Sequence, residues 1–459
     1  MRYAITLLVP LLVLVAACDG GGDGQPAPTA SPASHRPSPT PEEETLAFIR
    51  DGDIWLINAD GTGERRLTRF SDTDREVVAF QWLAGGQEIA HEASLRFDPE
   101  TPPPSTVTSV LANTDGAFLW ERELSRSDTR VLWSPDGQLV ALFDQIGVTV
   151  EARDGRSQWT GTFQPAPFGG ESWSRDGKAL AFIDGEEIVV VSGDPLAAQR
   201  LDMFSAGCPA GEGCPASTAR YGVPEFTPDG NSLVTAIARE GEIGAVGNAN
   251  FAVYRIDLIA SPATKPLRFP APGQDPDGKD FGSLPQPVSS PDGRYVAYGS
   301  SVHMSACEGG SALVILHDDG ISTFIPAEIE QAAQAFTPEG PDTGRGTGIH
   351  SSGLQWSPTA DTLVTAFRII DCSFMGEANV ALKDMLLAQG VYVVRGDGSG
   401  EEKVADEFPL ATPVWSPSGR LVAYASGDPE SPRVRIVDPA TRRATDLGPG
   451  DSPAWQPQP

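Results

Sequence analysis

From residue 45 to the end, the chain is a series of short apolar stretches, each ended by a tight polar turn and followed by a strand-like stretch. Leu139-Val140-Ala141-Leu142-Phe143 and Ala179-Leu180-Ala181-Phe182-Ile183 are typical, and runs this short between turn signals predict β-strands. The turns themselves repeat. Trp133-Ser134-Pro135-Asp136-Gly137, Trp173-Ser174-Arg175-Asp176-Gly177, Phe226-Thr227-Pro228-Asp229-Gly230, Ser289-Ser290-Pro291-Asp292-Gly293 and Trp415-Ser416-Pro417-Ser418-Gly419 share one pattern, and Trp356-Ser357-Pro358-Thr359-Ala360 lacks the glycine. Two weaker copies are Trp82, followed by Gly85-Gly86, and Trp455-Gln456-Pro457, which no strand follows.

The motif has a local physical basis. Proline presets φ near −65°, Asp bonds its own backbone and Gly accepts positive φ, so the chain reverses within about four residues. The Trp ahead of the turn supplies a large apolar face that wedges between neighbouring sheets. One small sheet cannot bury both faces alone, so a period of roughly 40 to 65 residues with several strands each predicts a radial repeat, an all-β propeller. Its closure is readable at the ends. Leu46-Ala47-Phe48-Ile49, Asp53 to Asn58 and Arg65-Arg66-Leu67-Thr68 form the second to fourth strands of a blade without a first, and Pro453-Ala454-Trp455 is a first strand without successors. Joining them removes a free edge and predicts eight blades, or seven if the stretch at Trp82 is an insertion.

These Trp-Ser-Pro-Asp-Gly units resemble the WD40-like repeat of TolB and of the propeller domains of some serine peptidases. The resemblance covers nearly all of residues 45–459 as architecture and says little about function, because such propellers host unrelated activities. No Gly-x-Ser-x-Gly elbow, P-loop, dinucleotide fingerprint or sialidase Asp box is present, so the resemblance brings neither a hydrolase domain nor a cofactor. The extra N-terminal domain of TolB has no counterpart before this propeller, so the role of TolB in its envelope complex does not carry over.

Residues 1–17 read as a lipoprotein signal peptide. Met1-Arg2 precedes the apolar run Ile5 to Val15, and Val15-Ala16-Ala17-Cys18 resembles the bacterial lipobox, in which the Cys is diacylated after cleavage before it. Residues 18–44 are then the lipidated Cys18 and a Pro/Gly/Ser-rich tether reaching roughly 70 Å when extended. Residues 45–459 form the propeller, held on the extracytoplasmic side of a bacterial cell membrane. The cysteines agree with export: besides Cys18 there are four, read as the pairs Cys208 with Cys214 and Cys307 with Cys372. The rival readings are free thiols and a metal site, and the latter would need closer thiol spacing or nearby His, which Cys208 and Cys214 lack. A formal net charge of −29 opposes nucleic acid and anionic surfaces as partners and also serves solubility. No cofactor or metal is implied, and a monomer is expected.

The turns between first and second and between third and fourth strands are short, which places the length variation on the opposite face of the disc, mainly in the blades beginning at Phe226, Ser289 and Trp356. Long loops on a rigid scaffold predict a recognition surface there. Its candidate residues are Arg220, Tyr221, His303, Glu308, Arg345, His350, Arg368 and Asp371, with Asp342 nearby. No catalytic residue is assigned, since none of these has ligand spacing such as His-x-Glu. His91 and His317 read as strand-end residues, and Asp275-Pro276-Asp277-Gly278-Lys279-Asp280 as a solvated turn. Two functions follow: a membrane-anchored module binding a protein, peptide or cell-envelope ligand, or an extracytoplasmic polysaccharide lyase or hydrolase using His303 and His350. Replacing Cys18 by serine should release the protein from the membrane fraction into the medium or periplasm, which fractionation measures; retention would contradict lipid anchoring.

Overall fold

Each Ser-Pro-Asp-Gly unit closes on itself through hydrogen bonds that its own residues provide. In the turn at Ser134 the hydroxyl donates to Asp136 Oδ1 over 2.6 Å and accepts the Leu139 N–H over 2.9 Å, and the Gly137 N–H returns to the Ser134 carbonyl over 2.8 Å. Gly137 has φ +67°, a left-handed conformation that glycine adopts without a Cβ penalty. Ser174, Thr227 and Ser290 repeat the arrangement. Hydroxyl donation from Ser174 and Thr227 holds Asp176 and Asp229 below the usual carboxylate range. The copy after Trp82 is a true one despite its sequence. Leu83 N–H reaches the Glu88 carbonyl over 3.1 Å and Gly86 N–H the Leu83 carbonyl over 2.9 Å, so buried Leu83 stands in the place of the serine.

The structure, a computed structural model, describes residues 44–96, 106–125, 130–163, 170–185, 187–201, 219–243, 248–259, 267–269, 278–281, 286–301, 311–317, 320–336, 347–372 and 382–458. Their strands form eight antiparallel sheets, the blades of an eight-bladed β-propeller. Blade 1 joins Asp451–Trp455 to Thr45–Arg50, Asp53–Asn58 and Arg65–Arg66, with Leu46 opposite Trp455 and Ala47 opposite Ala454. Blades 2 to 8 begin at Arg75, Arg130, Glu171, Ala219, Val288, Thr347 and Val414. The first strands of successive blades adjoin one another and line the axis. The termini therefore share one sheet, as the sequence predicts, and the stretch at Trp82 is a blade and not an insertion.

The hydrophobic cores lie between blades. One cluster joins Leu46 and Phe48 of blade 1 to Ala423 and Val434 of blade 8; another joins Phe143 and Val150 of blade 3 to Leu180 and Phe182 of blade 4. In six of the eight blades a tryptophan ahead of the turn fixes the spacing of neighbouring blades. Trp82, Trp173, Trp356 and Trp455 each donate Nε1–H to a first-strand carbonyl of the preceding blade, at Ala454, Leu132, Val288 and Val414, over 3.0 to 3.1 Å. Ahead of Trp133 and Trp415 the equivalent residue is a glutamine. The side chains of Gln81 and Gln355 bond the backbone of those tryptophans instead, at Trp133 O and Trp415 N, and both indole N–H groups are left without a partner.

Two departures from the sequence reading stand out. The connection from blade 6 to blade 7, expected as loop, contains the helix Ala327–Ala335, whose Ile329 is fully buried against blade 7. Blade 8 has Ser418 where the turns of blades 3 to 6 have Asp, and the missing carboxylate comes from Glu44, which accepts the Ser418 N–H over 2.8 Å and its hydroxyl over 3.1 Å. Ring closure is thus both a strand pairing and a turn repaired from the other end of the propeller. Replacing Trp455 by alanine removes a buried wedge and an interblade hydrogen bond and should cost about 3–5 kcal/mol. Urea unfolding followed by tryptophan fluorescence checks this, and an unchanged midpoint would contradict the closure.

Candidate functional site

Most second and third strands of the propeller are five to eight residues long, but those of blades 5 and 7 are not. Ser232–Ile243 and Asn248–Asp257 have 12 and 10 residues, and Thr362–Asp371 and Leu386–Arg395 have 10 each. In both blades the excess length lies toward the connection between second and third strands, on the face that the sequence marks for its long loops. Additional short strands line the extensions. Ala219–Tyr221 pairs with the first elongated strand of blade 5, Gly278–Phe281 with the second, and Thr347–Ser351 with Thr362–Asp371. The tip of the blade 7 extension has its own small core of Ile370, Cys372 and Met385, all buried, and Cys372 is disulfide-bonded. An extension with an apolar core of its own is an ordered ledge above the disc.

On this ledge the structure brings two of the candidate residues together. His350 lies directly opposite Arg368, and on the other side Arg368 lies directly opposite Gln389. Direct cross-strand partners point to the same face with Cβ atoms about 4.5–5.5 Å apart, so imidazole, guanidinium and carboxamide form a row. All three side chains are half-buried. Arg368 Cζ sits 4.5 Å from the ring centroid of Phe408, and burial lowers the pKa of the guanidinium. Asp371 is opposite Thr347, one residue before Cys372 at the same end of the ledge. Arg220 and Tyr221 pair with Ala238 and Ile237 on blade 5, away from the row. His303, Glu308, Arg345, Asp342, Cys18, Cys208, Cys214 and Cys307 lie outside the described residues. Among the described residues no group of three or more His, Cys, Asp or Glu converges as a metal site, and no helix is long and apolar enough to cross a membrane.

The opposite, short-turn face carries a feature that the sequence reading missed. Blades 4 to 7 surround a cavity of about 360 Å³ at the axis, bordered by the tryptophans and prolines of their turns and by Glu225. Burial pushes the Glu225 carboxyl up to about 7, against a hydrogen bond to Gln286 that opposes the shift. Glu171 is raised in the same way, with Arg130 as its opposing partner over 3.3 Å. Only the position of Glu225 directly before the turn motif hints at this in the sequence. His91 also departs from expectation. It does not end a strand but sits inside Glu88–Leu95, opposite Phe80 and Val110, 2% exposed and edge-on to Phe70, with neither ring nitrogen hydrogen-bonded. His317 does end its strand.

No protein-family model matches the chain, and no curated protein does. Solved structures with similar architecture include the dipeptidyl peptidase 4 of Porphyromonas gingivalis, at 11% identity over 89% of this chain and 58% of that one, with a TM-score of 0.51. TolB from Acinetobacter baumannii is similar at 16% identity over 90% of this chain and 81% of that one, with a TM-score of 0.34. An oligogalacturonate lyase from Vibrio parahaemolyticus is similar at 11% identity over 82% and 87%, with a TM-score of 0.43. At such identities the likeness concerns the fold alone.

The buried His91 makes stability depend on pH. Its folded-state pKa is about 4, below the ordinary 6.5, because burial disfavours the imidazolium. The neutral form is the one folding favours, so the contribution is complete above pH 6.5 and is lost as pH falls toward 4, about 3 kcal/mol in all. Thermal unfolding across this range should show the loss, and His91→Phe should flatten it. Glu225 acts with the opposite slope, its burial costing more as pH rises through 7, so Glu225→Gln should gain stability above that pH.

Proposed function

We propose that this chain is a membrane-anchored, extracytoplasmic propeller that binds a protein, peptide or cell-envelope ligand on the ledge of blades 5 to 7. The observation that carries this reading is the one-sided lengthening of the strands of blades 5 and 7, with a small apolar core at the tip of the blade 7 extension and a half-buried arginine displayed on it. Lengthening that adds nothing to ring closure is expected where a scaffold presents a binding surface. Lipidation at Cys18 anchors the module, the tether that follows it gives it reach, and disulfides joining Cys307 to Cys372 and Cys208 to Cys214 stiffen the ledge.

A second reading, an extracytoplasmic lyase or hydrolase, is favoured by one observation: Glu225, in the axial cavity of the other face, has a carboxyl that titrates near neutrality, as a general acid or base does. The two readings place the ligand on opposite faces. A photo-crosslinking amino acid in place of Leu387, exposed on the ledge, should trap a partner in cells of the source bacterium, and the same residue in place of Ile259, exposed on the turn face, should not. Crosslinks confined to the Ile259 position would overturn the ledge reading.

A further inference from the structure

Arg368 carries a charge that no carboxylate among the described residues balances. Its Nε is covered and has no hydrogen-bond partner. The pKa of its guanidinium is lowered by burial with no compensating charge. Carboxylates are plentiful in a chain of net charge −29, and several other partly covered arginines have one: Arg66 pairs with Asp53, Arg122 with Glu151 and Arg130 with Glu171. An unpaired guanidinium partly removed from water costs free energy and is retained where something else supplies the counter-charge.

The surroundings of Arg368 indicate what that is. Phe408 occupies the space against the guanidinium carbon and attracts its charge, which holds the group in place while its N–H donors lie in its own plane. His350 and Gln389 flank it at direct cross-strand positions and add an imidazole and a carboxamide donor to the same row. The sheet is irregular immediately beyond, between Ile369 and Ile370, and such bulges re-aim neighbouring side chains. A fork of donors flanked by two further donors matches the paired oxygens of an oxyanion.

We propose that the row His350–Arg368–Gln389 is an oxyanion-binding anchor, so that the ligand of the ledge carries an acidic group, a carboxylate or the phosphate or sulfate that shares its hydrogen-bonding chemistry. This rests on the reading of the ledge as the recognition surface. The anchor accounts for an unpaired cation on a strongly acidic protein: the ligand supplies the missing negative charge, and an uncharged ligand leaves the guanidinium uncompensated.

The test uses the full chain and defined anions. Thermal unfolding is followed while acetate, glutarate, sulfate or phosphate replaces chloride at constant ionic strength. At least one oxyanion should raise the unfolding temperature of the wild type saturably, with Arg368→Gln weakening its apparent affinity roughly tenfold or more, as loss of a charge-assisted pair implies. Arg368→Lys should lose part of the response, because it keeps the charge and loses the fork, and Gln389→Ala should lose less. These two variants carry the test if Arg368→Gln does not fold. A response to acetate and glutarate alone assigns a carboxylate, and one to sulfate or phosphate alone a tetrahedral oxyanion. No saturable response in the wild type, or an equal response in all variants, overturns the anchor. Crosslinks at Leu387 that persist undiminished in Arg368→Gln would leave the ledge as a recognition face and reject the oxyanion, whereas their absence from the wild type rejects the ledge itself.

Discussion

The indole wedge between blades is the interaction on which this molecule depends. A four-stranded sheet has two apolar faces and no means of covering them, so each blade is stable only between neighbours. The cores are accordingly shared, with Ile54 of blade 1 packed with Ile89 of blade 2 and Val364 of blade 7 with Tyr424 of blade 8. A tryptophan at the head of a blade does two things in such an interface. It fills the wedge-shaped space near the axis, and through Nε1 it fixes its height against one carbonyl of the preceding blade. Where Gln81 and Gln355 interrupt this pattern, the interface keeps its apolar contact and exchanges one hydrogen bond for another, which shows that packing is primary and the indole bond sets register.

Because the ring is secured along the axis and by self-contained turns, its two faces are free to differ. On the turn face, buried serine hydroxyls and aspartates satisfy one another within a few residues, and little chain is left over. On the other face the second and third strands of blades 5 and 7 continue past the disc without disturbing any blade interface. Ionisable groups follow this division. Glu225 is half-buried where the turns converge on the axis and is driven toward its neutral form, whereas Arg368 on the ledge keeps its charge and has no counter-ion among the described residues.

The parts of the fold legible in the sequence are those fixed by short-range chemistry. Ser134-Pro135-Asp136-Gly137 announces its turn because every hydrogen bond in it lies within five residues, and the matching of Leu46 to Trp455 follows because an unpaired strand remains at each end. The helix Ala327–Ala335 is written in alanine-rich helix formers, but a repeat of strands sets a strong contrary expectation around it. The proximity of His350 to Arg368 depends on a register between strands joined by no tight turn, and the row they form with Gln389 is invisible to spacing rules. His91 reads as a strand end because it is one polar residue among small apolar ones, whereas tertiary packing buries it in mid-strand. The position of Glu225 beside a turn motif gives no sign that four blades enclose it.

The carboxylate of Glu44 completing the turn at Ser418 has a consequence for how the molecule is made. Residues 374 positions apart contribute to one local structure, and the innermost strand of blade 1 comes from the opposite end of the propeller. During synthesis, seven sheets can assemble in order from the polypeptide already made, yet the eighth stays an open template with an exposed edge until Trp455 arrives. Commitment to the native state therefore waits for the final segment, and an interrupted translation product presents unpaired backbone at both rims, a form that quality-control proteases can recognise.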